Sequence, residues 1–396
     1  MRIDLLLKRE NFPKTFEKSF SRFLEKKLKV TSIVNWKDYS SHDRSLLVND
    51  RLNVIYSKNI NRKALRSIMS EYAYHPNLTR HFLQKIYVLL ASYIYLEWFF
   101  TKSRVEISPW IGELDNLCIV PGNHSIRIID LQASICRVVL KDGFNAQFIN
   151  NEIYLREKYN FLSLPKLLNF DAKGLWYEEE QVSALPLNRI SDRNIKEKAL
   201  LEAHRDLVNL YGLTLERVNA NNYFKSLNKS CYDLVDRLPS VYDQEEKNRI
   251  KFVLRRLMAN IDANSVYRVE LVQSHGDFQP ANILISNSSR QLYLIDWEYT
   301  AKRSVYYDAL VFSTKCRSPK GLARRVEMVL HETDISWKWC VENANAKLSK
   351  LDLIVFLIED LMVRLLEVQI PDMINKDSGL EIWLNEVKKM DWLTYG

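Results

Sequence analysis

No part of this sequence constrains it more than Ser274-His275-Gly276-Asp277-Phe278-Gln279-Pro280-Ala281-Asn282-Ile283-Leu284, together with the later Leu294-Ile295-Asp296-Trp297-Glu298. Two short strand-like runs, residues 268–273 and 292–295, bracket this polar loop. It sets a carboxylate and a carboxamide five residues apart and adds a second carboxylate on the next strand. Phosphoryl transfer from a nucleotide asks side chains for such a set. One carboxylate must meet the attacking hydroxyl, and two oxygen ligands must hold Mg²⁺ against the phosphates. Asp and Asn also serve as plain turn residues between strands, but turn chemistry has no need of the later Asp296.

Around this loop the texture is helical: residues 191–258, and the chain after Tyr306 through 351–366 and 380–392, carry helical patterns. Near residue 115 the texture changes. Residues 117–120, 125–131 and 136–141 are short runs rich in β-branched residues, with Pro121-Gly122-Asn123 as a turn; a helix over 146–161 and a strand over 174–182 follow. These predict a small α+β lobe. The 47% apolar and 27% charged composition is globular and excludes a largely disordered chain. Five scattered cysteines (Cys118, Cys136, Cys231, Cys316, Cys340) include no CxxC or zinc-knuckle spacing, which points to a reducing compartment. Leu5-Leu6-Leu7 is too short for a cleavable signal, so a cytoplasmic protein is expected.

Residues 1–110 hold 20 Lys/Arg against 10 Asp/Glu, so the formal excess of +8 on the whole chain lies entirely there. Such asymmetry suits an anionic partner, membrane lipid or nucleic acid, or else a solvated basic face. Asn11 and Pro13 mark a helix start; Phe12, Phe16, Phe20, Phe23, Leu24 and Leu28 then recur three and four apart with lysines and Arg22 between them. That basic amphipathic helix packs on its own protein or lies on a bilayer. Residues 86–100 form the most apolar run, but only eleven residues separate Lys85 from Glu97, short of the roughly 20 that span a bilayer. A buried core helix is the expectation. No zinc-finger, RRM or helix-turn-helix signature supports nucleic acid as a partner.

Asp277 and Asn282 share the offset of Asp and Asn in the protein-kinase catalytic loop. HGDFQPANIL with IDWE resembles the aminoglycoside phosphotransferase and choline kinase family, in order, spacing and apolar flanks. The resemblance covers residues 115–396. It implies an α+β, bilobal protein-kinase-like fold, here with an extra N-terminal helical segment. The divisions expected are 1–110 for that segment, 111–182 for the β-rich lobe and 183–396 for the helical lobe. It further implies a strand lysine for the nucleotide phosphates, paired with a helix glutamate. Val138-Val139-Leu140-Lys141 ends in such a lysine, with Arg137 as competitor; Glu152 and Glu157 compete for the glutamate, and the family's distance to Leu164-Pro165 favours Glu152. Gly122 and Ser125 correspond to the phosphate-covering loop, although Pro121-Gly122-Asn123-His124-Ser125 is equally an ordinary hairpin turn. Trp176–Val182 resembles the connection between lobes, where adenine would bind through backbone near Glu180 and Val182. Asp308, in Tyr307-Asp308-Ala309-Leu310, resembles a brace for the metal loop.

The function so implied is an ATP- and Mg²⁺-dependent kinase acting on a hydroxyl of a small molecule, sugar or glycan. Asp277 would take the hydroxyl proton, Asn282 and Asp296 would hold Mg²⁺, and Lys141 with Glu152 would steady the phosphates. Residues 1–110 would let it sit at the inner face of an anionic membrane. An antibiotic kinase of the aminoglycoside type is one alternative, and a silent nucleotide-binding regulator is another. Glu359, Asp360, Glu367 and Asp372 could serve a cationic acceptor but are spaced like exposed helical charges.

Overall fold

The computed structural model describes residues 2–38, 44–72, 77–93, 95–261, 268–340 and 347–393. The chain divides into two compact units, residues 1–157 with 165–185, and residues 158–164 with 186–396.

The first unit opens with α1 (Ile3–Arg9) and α2 (Phe12–Lys27). Asn11 sits at the N-cap of α2 without a side-chain capping bond, and Pro13 occupies the first turn, where its missing N–H costs nothing. The stripe of Phe12, Phe16, Phe20, Phe23 and Leu24 is buried. At about 1.5–3 kcal/mol for each such side chain, it anchors the helix far more firmly than propensity could.

Next come β1 (Ile33–Asp38), β2 (Ser45–Asn49), β3 (Val54–Ser57), α3 (Arg62–Tyr72), α4 (Leu78–Ala91), α5 (Glu97–Phe100) and β4 (Ser103–Ser108). Then follow β5 (Leu117–Pro121), β6 (Ser125–Asp130), β7 (Ile135–Leu140), α6 (Gln147–Lys158), β8 (Leu167–Phe170) and β9 (Trp176–Glu180). The described strands form one nine-stranded sheet in the order β1-β4-β2-β3-β5-β6-β7-β9-β8. The α2 phenylalanines pack on one face of it, with Val34, Val105, Ile119, Ile126, Ile128 and Val139.

Two expectations are corrected here. Residues 1–110 are not a helical extension outside the lobe: four of their segments are strands, and β3 joins the rest of the sheet by pairing Ile55 with Ile119. Runs of four to six residues take strand character from such distant partners, which local periodicity does not register. The apolar run at 86–100 is not a buried core helix either. Helix α4 buries Val88 and Ala91 and half-buries His81, Gln84 and Tyr87, while Leu78, Phe82, Leu83, Ile86, Leu89 and Leu90 face outward. Its inward stripe meets the cluster of Leu65, Ile68 and Met69, and no described element covers the other side.

The chain passes between the units at β10 (Ala184–Pro186). The second unit contains α7 (Arg193–Thr214), β11 (Glu216–Asn219), α8 (Ala220–Asp236), α9 (Gln244–Met258) and β12 (Arg268–Ser274). After these come β13 (Ile283–Ser286), β14 (Leu292–Leu294), β15 (Ala301–Ser304), α10 (Tyr307–Thr314), α11 (Leu322–Leu330), α12 (Lys350–Glu367) and α13 (Ser378–Lys388). Strand β12 lies between β11 and β15, and β13 and β14 form a hairpin. Helix α12, closed at its start by a Ser349–Asp352 capping box, is buried almost all round from Asp352 to Leu361. Glu359 and Asp360 are therefore inside the unit, contrary to their reading as exposed helical charges; Asp372 is exposed.

Candidate active site

Strand β12 delivers His275, Gly276 and Asp277 at its end. Gly276 adopts φ +90°, and a Cβ there would lie 2.3 Å from the Tyr299 carbonyl oxygen, so this turn admits only glycine. Asp308 holds the turn: its Oδ2 accepts from His275 N–H at 2.6 Å and Tyr211 O–H at 2.8 Å, and its Oδ1 from Gly276 N–H at 2.9 Å. The expected brace is thus present in atomic form. Asp277 N–H donates to His275 Nδ1 at 3.2 Å, which leaves Nε2 to donate to the Ile295 carbonyl at 3.1 Å. One imidazole therefore ties the Asp277 turn to the segment that carries Asp296.

The two loop residues picked out by spacing meet in space. Asn282 Nδ2 donates to Asp277 Oδ2 and to the Asp277 carbonyl, both at 2.9 Å, and Gln279 Nε2 reaches the same Oδ2 at 2.8 Å. Ile295 N–H donates to the Asn282 carbonyl at 3.0 Å, so Asp296 starts one residue beyond the Asn282 backbone. Asp296 has φ +71°, a left-handed conformation that short polar residues tolerate and that recurs at functional turns.

A residue that sequence reasoning missed completes the loop. Arg317 Nε donates to Asp277 Oδ1 at 2.7 Å, and its Nη2 donates to the Gly276 carbonyl at 2.6 Å. Its Nη1 lies 3.6 Å from Asp360 and 3.4 Å from Glu367. Neither spacing nor periodicity singles out Arg317; only the fold brings it to Asp277. Burial opposes ionisation of Asp360, but Arg364 and Arg317 together hold its carboxyl below the usual range. Three carboxylates, those of Asp277, Asp360 and Glu367, surround this one guanidinium, which fixes Asp277 on its Oδ1 side.

Both bonds recorded for the Asn282 side chain leave from Nδ2, so Oδ1 is the atom remaining for a cation. Among the described residues there is no group of three or more His, Cys, Asp or Glu suited to a metal. The donor types of Asn282 and Asp296, one carboxamide oxygen and one carboxylate, are those that would suit Mg²⁺, whose remaining positions waters and phosphate oxygens would fill.

The nucleotide-binding residues expected on the first unit fall less simply. Lys141, directly after β7, has Glu10 as its ion-pair partner at 2.8 Å. Glu152 instead pairs with Arg156 one turn along α6, and Arg156 also reaches Glu179 at 2.8 Å. On the lysine side a residue from the N-terminal helices, which the sequence reading did not anticipate, is thus an ion-pair partner. Arg137, the competing cation, binds Asp130 at 3.1 Å and Glu178 at 2.8 Å, and Glu157 is exposed. Gly122 N–H closes a tight turn on the Ser125 carbonyl at 2.8 Å, so that amide is engaged within the hairpin. Glu180 is paired through its backbone N–H to the Lys166 carbonyl at 3.0 Å, while Val182 lies in the irregular stretch beyond β9.

Residues 151–314 match the family described as choline/ethanolamine kinase. That segment holds both the Asp277–Asn282 loop and Asp296. No curated protein matches the chain by sequence. Among solved structures, a choline kinase from Streptococcus pneumoniae is similar at 15% identity, covering 71% of this chain and 91% of that one, with a TM-score of 0.44. An ethanolamine kinase from Plasmodium vivax is similar at 13% identity, with 84% and 94% covered and a TM-score of 0.40. An aminoglycoside phosphotransferase from Streptomyces rimosus is similar at 15% identity, with 63% and 94% covered and a TM-score of 0.41.

Proposed function

We propose that this chain, whose residues 151–314 belong to the choline/ethanolamine kinase family, is a phosphotransferase that moves the γ-phosphate of ATP onto a hydroxyl of a small molecule or glycan. The observation that carries this reading is the meeting of Asp277 and Asn282 at 2.9 Å in a loop whose backbone is bonded to the segment bearing Asp296. Asp277 meets the acceptor hydroxyl and receives its proton, held in orientation by Arg317, Gln279 and Asn282. Asn282 and Asp296 would hold Mg²⁺, which when bound neutralises charge on the phosphates. Positioning and charge neutralisation are the whole of this catalysis; nothing covalent is asked of the protein.

A cationic amino alcohol is the second reading for the acceptor. The cluster at Asp277 sets three carboxylates, Asp277, Asp360 and Glu367, against two cations, Arg317 and Arg364, so negative charge is in excess by one there. Peripheral association with an anionic bilayer is also proposed, through the outward apolar face of α4 and its exposed Arg80 and Lys85. No described helix is long and apolar enough to cross a membrane.

Labelled ATP with Mg²⁺, incubated with soluble and lipid extracts and with choline and ethanolamine, tests the activity. The expected result is a labelled product with the native protein and none with Asp277→Asn, while Mg²⁺–ATP binding persists in the variant. Unchanged turnover in Asp277→Asn would remove Asp277 from the mechanism.

A further inference from the structure

Lys141 is completely buried, and so is the carboxylate that faces it. Its Nζ lies 2.8 Å from Glu10 Oε1 and donates to the Asn123 carbonyl at 2.9 Å. The other Glu10 oxygen accepts from Arg9 Nη2 at 2.8 Å, and Arg9 Nη1 donates to Asn123 Oδ1 at 3.2 Å. Phe12 and Phe144 put their rings 5.2 and 5.4 Å from the ammonium. The backbone closes the same ring of contacts, since Lys141 N–H donates to the His124 carbonyl at 2.9 Å. Three parts of the chain, the α1–α2 joint, the hairpin between β5 and β6, and the end of β7, are thus locked together by one charged network.

Glu10 is no loose plug. Its N–H donates to the Leu6 carbonyl at 3.0 Å, its carbonyl accepts from Phe12 N–H at 2.7 Å, and Phe12 is fully buried in the sheet's core. A buried ammonium without a carboxylate is strongly disfavoured. Glu10 supplies that carboxylate at 2.8 Å.

We infer that Glu10 is the positioning residue for Lys141 and, through Asn123, for the hairpin over residues 121–125. This rests on the reading of Lys141 as the lysine that binds nucleotide phosphate. Because Lys141 has no exposed surface, an arriving phosphate must displace one of the groups now packed around Nζ, such as the Asn123 carbonyl. Glu10 keeps the ammonium in place through that exchange. The part of the chain that lies outside the family match therefore supplies a component of nucleotide binding.

The test uses the full chain, Mg²⁺ and a fluorescent ATP analogue, with affinity and Tm measured for each variant. Lys141→Met is expected to weaken binding about tenfold or more, and Glu10→Gln about tenfold, as suits loss of a charge-assisted contact. Glu10→Asp, which only draws the carboxylate back, should lose about threefold. Phe20→Leu, on the same helix pair but away from the network, should lower Tm and leave affinity unchanged; that separates positioning from mere stability. Native affinity in whichever Glu10 variant folds, with only Tm reduced, overturns the inference. Tighter binding overturns it too, because Glu10 would then compete with phosphate. If Lys141→Met itself binds like the native protein, the reading of Lys141 fails instead.

Discussion

Glu359 is a carboxyl group kept entirely from water. Its Oε1 accepts from Tyr223 O–H and from Ser304 N–H, the latter at 2.7 Å, while its Oε2 has no partner. Burial pushes its pKa up to about 7, against the pull of those two donors and of Arg303. The folded protein thus holds a proton that the unfolded chain releases above the usual carboxylate range. Stability must therefore fall as pH rises from about 4.5 to about 7, by on the order of 3 kcal/mol. Urea unfolding of Glu359→Gln should show that slope removed: its stability relative to the native protein improves by about that amount between pH 4.5 and pH 8. Parallel curves for the two proteins would contradict it. At this scale, legibility followed local chemistry. Asp277 and Asn282 were readable because spacing and neighbours define them, and Asp308 through the resemblance that its segment carries; Glu10 and Arg317 were not, because 131 and 40 residues separate them from the groups they touch.

Helix α4 shows how an element can be readable in kind and misread in placement. Its apolar run predicted a helix, but composition alone does not say which side of a helix faces inward. Here the half-polar stripe of His81, Gln84 and Tyr87 turns to the protein, and the greasier side is left outside, with Leu78 84% and Phe82 63% exposed. Monomeric surfaces rarely carry an apolar stripe of this kind without a partner. If an anionic bilayer is that partner, replacing Phe82 and Leu89 together by serine should reduce co-sedimentation with phosphatidylglycerol-containing vesicles about tenfold or more, since each apolar side chain contributes about 1.5–3 kcal/mol on burial. Vesicles of phosphatidylcholine alone should bind the native protein less. Equal partition of variant and native protein would dismiss the membrane and leave a protein partner. The apolar face of helix α2 was readable because its phenylalanines recur on one side only, and of the two placements left open, on the protein or on a bilayer, the structure shows that face buried in the protein. Strand β8 escaped notice because it lies at the sheet's edge with three of its four residues exposed, and so lacks an alternating pattern.

For the molecule as a whole, the α+β character was legible from a change in texture, whereas the extent of the first unit was not. A boundary near residue 110 is a sensible cut in sequence but runs through a continuous sheet and its core. Deleting residues 1–110 should therefore not yield a working kinase but a protein with an unfolded or aggregated first unit. Circular dichroism and limited proteolysis would report this. A soluble, protease-resistant fragment with native nucleotide affinity would show that the N-terminal strands and Glu10 are dispensable.

The packing of α2 against β7 also has a consequence for synthesis. The phenylalanine stripe leaves the ribosome long before residues 117–139, whose strands complete its cover. At about 5–20 residues per second that interval lasts on the order of ten seconds. Throughout it the nascent chain carries an uncovered, basic, aromatic helix, the sort of segment that holding chaperones bind. Closing the first unit therefore waits long after its first helices are made, and Glu10 has no lysine until the chain has passed β7.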